Sequence, residues 1–121
     1  RYSIDMPDIV IGFIGRKKNS HILTAMREHF QWQTREVHID FYRTTEQDLS
    51  ARLSELYALD RRGYVVSDEL QEAILPFLDS IHPTDMPPTS VNTVVNDGGI
   101  LKGYSFPSFQ HMKEALCSAF P

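Results

Sequence analysis

The sequence predicts an α/β fold, a mixed sheet covered by helices on both faces, and three observations predict it. Short apolar runs alternate with stretches whose apolar residues recur at helical spacing, so strands are separated by helices and pair in parallel through right-handed crossovers. The Asn96-Asp97-Gly98-Gly99 turn joins two further strand-like runs so tightly that this pair must be antiparallel. An amphipathic stretch from Pro107 onwards closes the chain, giving strand, helix, strand, helix, strand, helix, hairpin, helix.

Each element has a local reason. Asp8 to Gly15 is a nearly continuous apolar run ended by glycine, the pattern of a strand buried on both faces. Asn19 or Ser20 then caps a helix whose Ile22, Leu23, Met26 and Phe30 form one stripe. Trp32 follows as core-edge packing beside Phe30. Val37, Ile39 and Phe41 alternate with His38, Asp40 and Tyr42 as a second strand. Thr45 with Asp48 resembles a capping box, and Leu49, Leu53, Leu56 and Tyr57 continue as a helix that stops near Leu59. Arg61-Arg62-Gly63 punctuates the chain before a short strand, Tyr64 to Val66. Ser67 or Asp68 caps a helix carrying Leu70, Ile74, Phe77, Leu78 and Ile81, which Pro76 must kink or split into two pieces. His82 to Thr89 reads as a loop, Val91 to Val95 and Ile100 to Phe106 as the hairpin strands, and Pro107-Ser108 as the start of a helix with Phe109, Met112, Leu116 and Phe120 inward.

At 121 residues and 41% hydrophobic content, the chain has the size of one domain over residues 1–121, and its start at Arg1 is that expected of a domain cut from a longer protein. A net charge of −4 argues against a nucleic-acid binder, which needs a basic face to displace phosphate counterions. No apolar run approaches the roughly 20 residues needed to span a bilayer, and no signal-peptide pattern is visible. One cysteine excludes an intrachain disulfide, which fits a reducing, cytoplasmic compartment.

The run Met86-Pro87-Pro88-Thr89, strand, Asn-Gly-type turn, strand and closing helix resembles the end of thioredoxin-like domains, and Gly103-Tyr104 is similar to the Gly-Tyr of glutaredoxins. The resemblance implies a thioredoxin-like three-layer sandwich with a cis bond before Pro88. It also implies a CxxC at a strand-to-helix junction, either Arg16 to Asn19 or Arg43 to Glu46, and neither contains cysteine. Cys117 is left as a small apolar residue in a packed helix. Thiol-disulfide exchange needs an attacking thiolate, so no such activity is expected. Glutathione binding is a weaker implication, because the acidic pair that follows the Gly-Tyr in that family is missing here.

The resemblance therefore implies a redox-inactive, non-catalytic module for protein binding or scaffolding, as in the cysteine-poor glutaredoxin-like Src-homology-3-binding glutamate-rich proteins. Its expected contact surface is Arg16, Lys17, Lys18, Ser20, Arg43, Thr45, Met86, Pro88 and Thr89, facing an acidic segment of a protein partner, with no cofactor. The rival from the residues alone is a small α/β enzyme or ligand sensor that binds an anion at the Gly15 to Ser20 loop, where helix-start amides meet three adjacent cations. That loop matches neither the Walker pattern nor G-x-G-x-x-G. Five dispersed histidines give no zinc spacing, so no metal site is expected. Asp68, Glu69 and Glu72 read as first-turn carboxylates that complement a helix dipole, and Ser20 and Ser67 as caps.

Overall fold

A computed structural model describes residues 8–33 and 35–120. It contains strands β1 (Ile9–Gly15), β2 (Val37–Arg43), β3 (Gly63–Val66), β4 (Ser80–His82), β5 (Thr93–Asp97) and β6 (Ile100–Tyr104). Three helices, α1 (Ser20–His29), α2 (Leu49–Ala58) and α3 (Phe109–Ser118), complete it. The strands form one sheet in the order β2-β1-β3-β5-β6-β4. Only β5 runs against its neighbours, so the carboxyl ends of β1, β2, β3, β4 and β6 share one edge, which also receives the start of β5.

Alternation along β1 builds two cores. Ile9, Ile11 and Phe13 face α1 and α3, against Leu23, Met26, Phe30, Met112, Leu116 and Cys117. Ile14 faces the other way with Tyr64 and Val66, against Leu49, Leu53 and Leu56 of α2 and against Leu70 and Ile74. The two layers of helix follow from the period-two direction of strand side chains. As the sequence predicts, Phe30 is buried, and Trp32 lies half-buried at the edge of the first core.

Three expectations are corrected. Residues 67–81 hold no α-helix: 3-10 turns at Asp68–Leu70 and Leu75–Phe77 are followed by β4, which pairs in parallel with β6. Pro76 in the second turn lacks the donor an α-helix would need, and Ile81 points into the core from a strand rather than a helix. The cis peptide bond precedes Pro83, after His82; the bond before Pro88 is trans, so the proline that tied the chain to thioredoxin-like domains does not have that geometry. Thr45 does not close a capping box, because its hydroxyl donates to Asp48 Oδ2 (2.8 Å) and no side chain caps that helix start. Elsewhere the turn chemistry holds: Gly98 and Gly99 take φ of +62° and +97° in the two-residue hairpin loop, and Asn96 Oδ1 accepts the Gly99 N–H at 2.7 Å.

Candidate functional site

The connection from β1 to β2 runs through α1 on one face, and that from β2 to β3 through α2 on the other. The chain leaves β1 toward the α1 face and leaves β3 toward the α2 face, where Leu70 and Ile74 pack, so the carboxyl ends of β1 and β3 form the topological switch point at which open α/β sheets bind ligands. Backbone bonds tie the strand ends together there: Thr44 N donates to Gly15 O (2.7 Å), and Ser67 N to Ile14 O (2.9 Å).

The β1–α1 loop supplies the cations of this edge. Arg16, Lys17, Lys18 and Ser20 are all exposed there. Asn19 rather than Ser20 caps α1, its Oδ1 accepting the Ile22 N–H at 3.1 Å. Arg43 is the register partner of Gly15, so it and Thr45 stand beside the loop. Met86, Pro88 and Thr89 belong to the segment between β4 and β5 at the same edge, with Met86 78% exposed. The topology thus gathers all three predicted segments along one edge, although neither Met86 nor Thr89 is tied to the basic loop by a hydrogen bond.

The sequence reading missed the long-range partners of the polar residues between them. Glu69 accepts from Arg16 N (2.7 Å) through Oε1 and from the Ser67 hydroxyl (2.7 Å) through Oε2; Ser67 holds the N-cap position and Glu69 the first turn of Asp68–Leu70, as expected, but the Ser67 hydroxyl makes no cap bond. Burial, the largest single influence, pushes the Glu69 carboxyl upward, but hydrogen bonds from the Arg16 N–H, the Ser67 hydroxyl and its own N–H, with the Arg16 charge, together hold it below the ordinary value. Gln71 Nε2 donates to Val66 O (3.0 Å) and to Asp68 Oδ1 (3.2 Å), bracing the turn after β3. Asn92 fastens the start of β5 to Phe106. An Asn between Val91 and the β-branched run Thr93 to Val95 was the available signal, since strands disfavour it.

Two clefts lie toward the opposite edge. One of about 850 Å³ runs beside the hairpin and the end of α3, but its cations are already paired, Lys102 with Asp97 (2.8 Å) and Arg62 with Asp60 (3.8 Å). That edge also gathers Asp8, Glu36 and His38, all exposed, with His38 Nε2 3.0 Å from Asp8 Oδ2. The carboxyl edge differs in placing Lys17 and Lys18 beside backbone donors at a topological switch point.

No family model matches the chain. A shikimate dehydrogenase-like protein of Haemophilus influenzae is 44% identical over 61 residues, which are 50% of this chain and 22% of that protein. The structure of shikimate 5-dehydrogenase from Listeria monocytogenes in complex with shikimate and NAD superposes with a TM-score of 0.69 and 26% identity, over 80% of this chain and 34% of that one. Quinate dehydrogenase from Corynebacterium glutamicum in complex with NAD gives 0.66 and 28%, over 79% and 36% of the two chains. This chain therefore spans about a fifth of the curated relative and about a third of each solved chain. The curated relatives are shikimate dehydrogenases or shikimate dehydrogenase-like, and the structural neighbours include shikimate and quinate dehydrogenases, which overturns the thioredoxin-like assignment and, with it, the non-catalytic scaffolding role drawn from that assignment.

Proposed function

We propose that this chain is the substrate-holding part of a shikimate dehydrogenase-like enzyme of Rossmann-like fold, receiving a small hydroxylated carboxylic acid at the carboxyl edge of its sheet. The observation that carries the reading is the likeness, over 80% of the chain, to an enzyme seen with shikimate and NAD. Lys17, Lys18 and Arg43 attract and orient the substrate carboxylate, and Met86, Pro88 and Thr89 form the far rim. A nicotinamide dinucleotide supplies hydride chemistry when bound. It is presented to this edge rather than wrapped by it, because the β1 turn offers Gly12 and Gly15 only, short of the G-x-G-x-x-G fingerprint.

Titrating shikimate and quinate into the chain, followed by heat, tests this. Saturable binding is expected, weakened about tenfold or more and made less salt-sensitive by Lys17→Glu with Arg43→Glu. Both residues are exposed, so the melting temperature should hardly move. Folded protein that binds neither acid, or binds both regardless of these reversals, overturns the assignment.

A further inference from the structure

Two donors converge on one acceptor at the switch point. Arg16 N and the Ser67 hydroxyl each reach a Glu69 carboxylate oxygen at 2.7 Å. Gly15 keeps the corner open, since a Cβ there would stand 2.8 Å from Ser67 Cβ and 3.3 Å from Glu69 Oε1. Backbone and hydroxyl donors aimed at one point make a concavity for an anion, and bonds to an ionised acceptor are about twice as strong as neutral ones. Here the anion belongs to the protein, brought from 53 residues along the chain.

We propose that Glu69 is a tethered anion seated in the corner that a substrate carboxylate would otherwise occupy, and that it sets how weakly this site holds carboxylates. The inference rests on the reading that the edge receives a hydroxylated carboxylic acid. With Glu69 seated, an incoming carboxylate finds the corner donors taken and meets a like charge. It must swing Glu69 aside to reach the Arg16 N–H. The side chain is exposed, so that movement opens no part of the core.

The test follows the Arg16 amide resonance of the isotope-labelled chain while acetate, and separately shikimate, is added to wild type, Glu69→Ala and Glu69→Gln. In Glu69→Ala the amide should respond saturably to acetate at a concentration about tenfold below that needed by wild type, with Glu69→Gln, which keeps an acceptor but loses the charge, between them. Equal acetate responses in wild type and both variants overturn the proposal. If Glu69→Ala fails to fold, Glu69→Gln against wild type decides the same question. Should acetate separate the variants while shikimate binds none of them, the substrate reading fails and the role of Glu69 stands. Shikimate binding with identical acetate responses has the opposite meaning.

Discussion

Asn92 and Phe106 are joined by two hydrogen bonds of opposite sense: Asn92 Nδ2 donates to Phe106 O (2.8 Å), and Phe106 N donates to Asn92 Oδ1 (3.0 Å). The side chain thereby imitates one further rung of the β5–β6 ladder, beyond Thr93 and Tyr104, where the backbone has begun to diverge. Asn92 N donates to Tyr104 O (3.0 Å), and Asn92 O accepts from Val66 N (2.9 Å), so one residue ties β3, β5 and β6 together at the functional edge.

Asn92→Ala should destabilise the chain by about 2–3 kcal/mol, because it deletes both bonds and strands two half-buried backbone groups. Asn92→Asp should not restore this, since it keeps an acceptor for Phe106 N but turns a carboxylate oxygen toward Phe106 O. Denaturant midpoints of the two variants check the claim; an unchanged midpoint for Asn92→Ala would show that the pair contributes nothing.

Gly103 and Gly98 separate sterics from backbone strain. A Cβ on Gly103 would stand 2.5 Å from Leu78 Cδ1 and within 3.0 and 3.1 Å of the Val91 methyls, so Gly103→Ala should cost about 1–3 kcal/mol by forcing the second core apart. Gly98 has φ of +62° with nothing within 4 Å, so Gly98→Ala should cost only about 1 kcal/mol, through the left-handed backbone. Thermal melts of the two proteins should rank them in that order.

Asn19→Ala removes the side-chain acceptor for the Ile22 N–H and should cost about 1 kcal/mol. Its effect on substrate should be disproportionate, since α1 begins where the cationic loop ends. Amide exchange confined to the first turn of α1, together with weaker shikimate binding, is the expected pattern; uniform loss of protection across α1 and α3 would instead mean that the core has loosened.

Cys117 has no exposed surface, and burial pushes its thiol up to about 11 from 9.0 against the smaller opposing influence of Lys113 and Arg35. The folded chain keeps the proton that the unfolded chain releases first. Stability from this group is therefore fully present below about pH 9 and declines as pH rises toward about 11. Burial of Tyr64 acts in the same sense at higher pH. Denaturant midpoints measured across that window should fall, and fall less steeply in Cys117→Ala. A disulfide reagent at pH 8 should label Cys117 rapidly only in the unfolded chain.

The sequence by itself determined β1, β2 and β3, helices α1, α2 and α3, the glycine hairpin and the burial of Cys117. In each case the information is local: apolar period, a capping Asn or Ser, a glycine pair where φ must be positive. It also marked the basic loop and Arg43, and tertiary structure brought them together because the β1–β2 register sets Gly15 opposite Arg43. Only the tertiary structure decided the rest. Residues 70–81 carry helical spacing, yet Pro76 and pairing with β6 convert them into turns and a strand, because the ladder offered by an open sheet edge outweighs a weak local period. Glu69 and Asn92 read as ordinary polar residues, since their partners Arg16 and Phe106 lie 53 and 14 residues away and nothing local announces them. The thioredoxin-like reading failed for the same reason: element order is written along the chain, whereas strand order, which distinguishes one α/β fold from another, is fixed by contacts between distant segments.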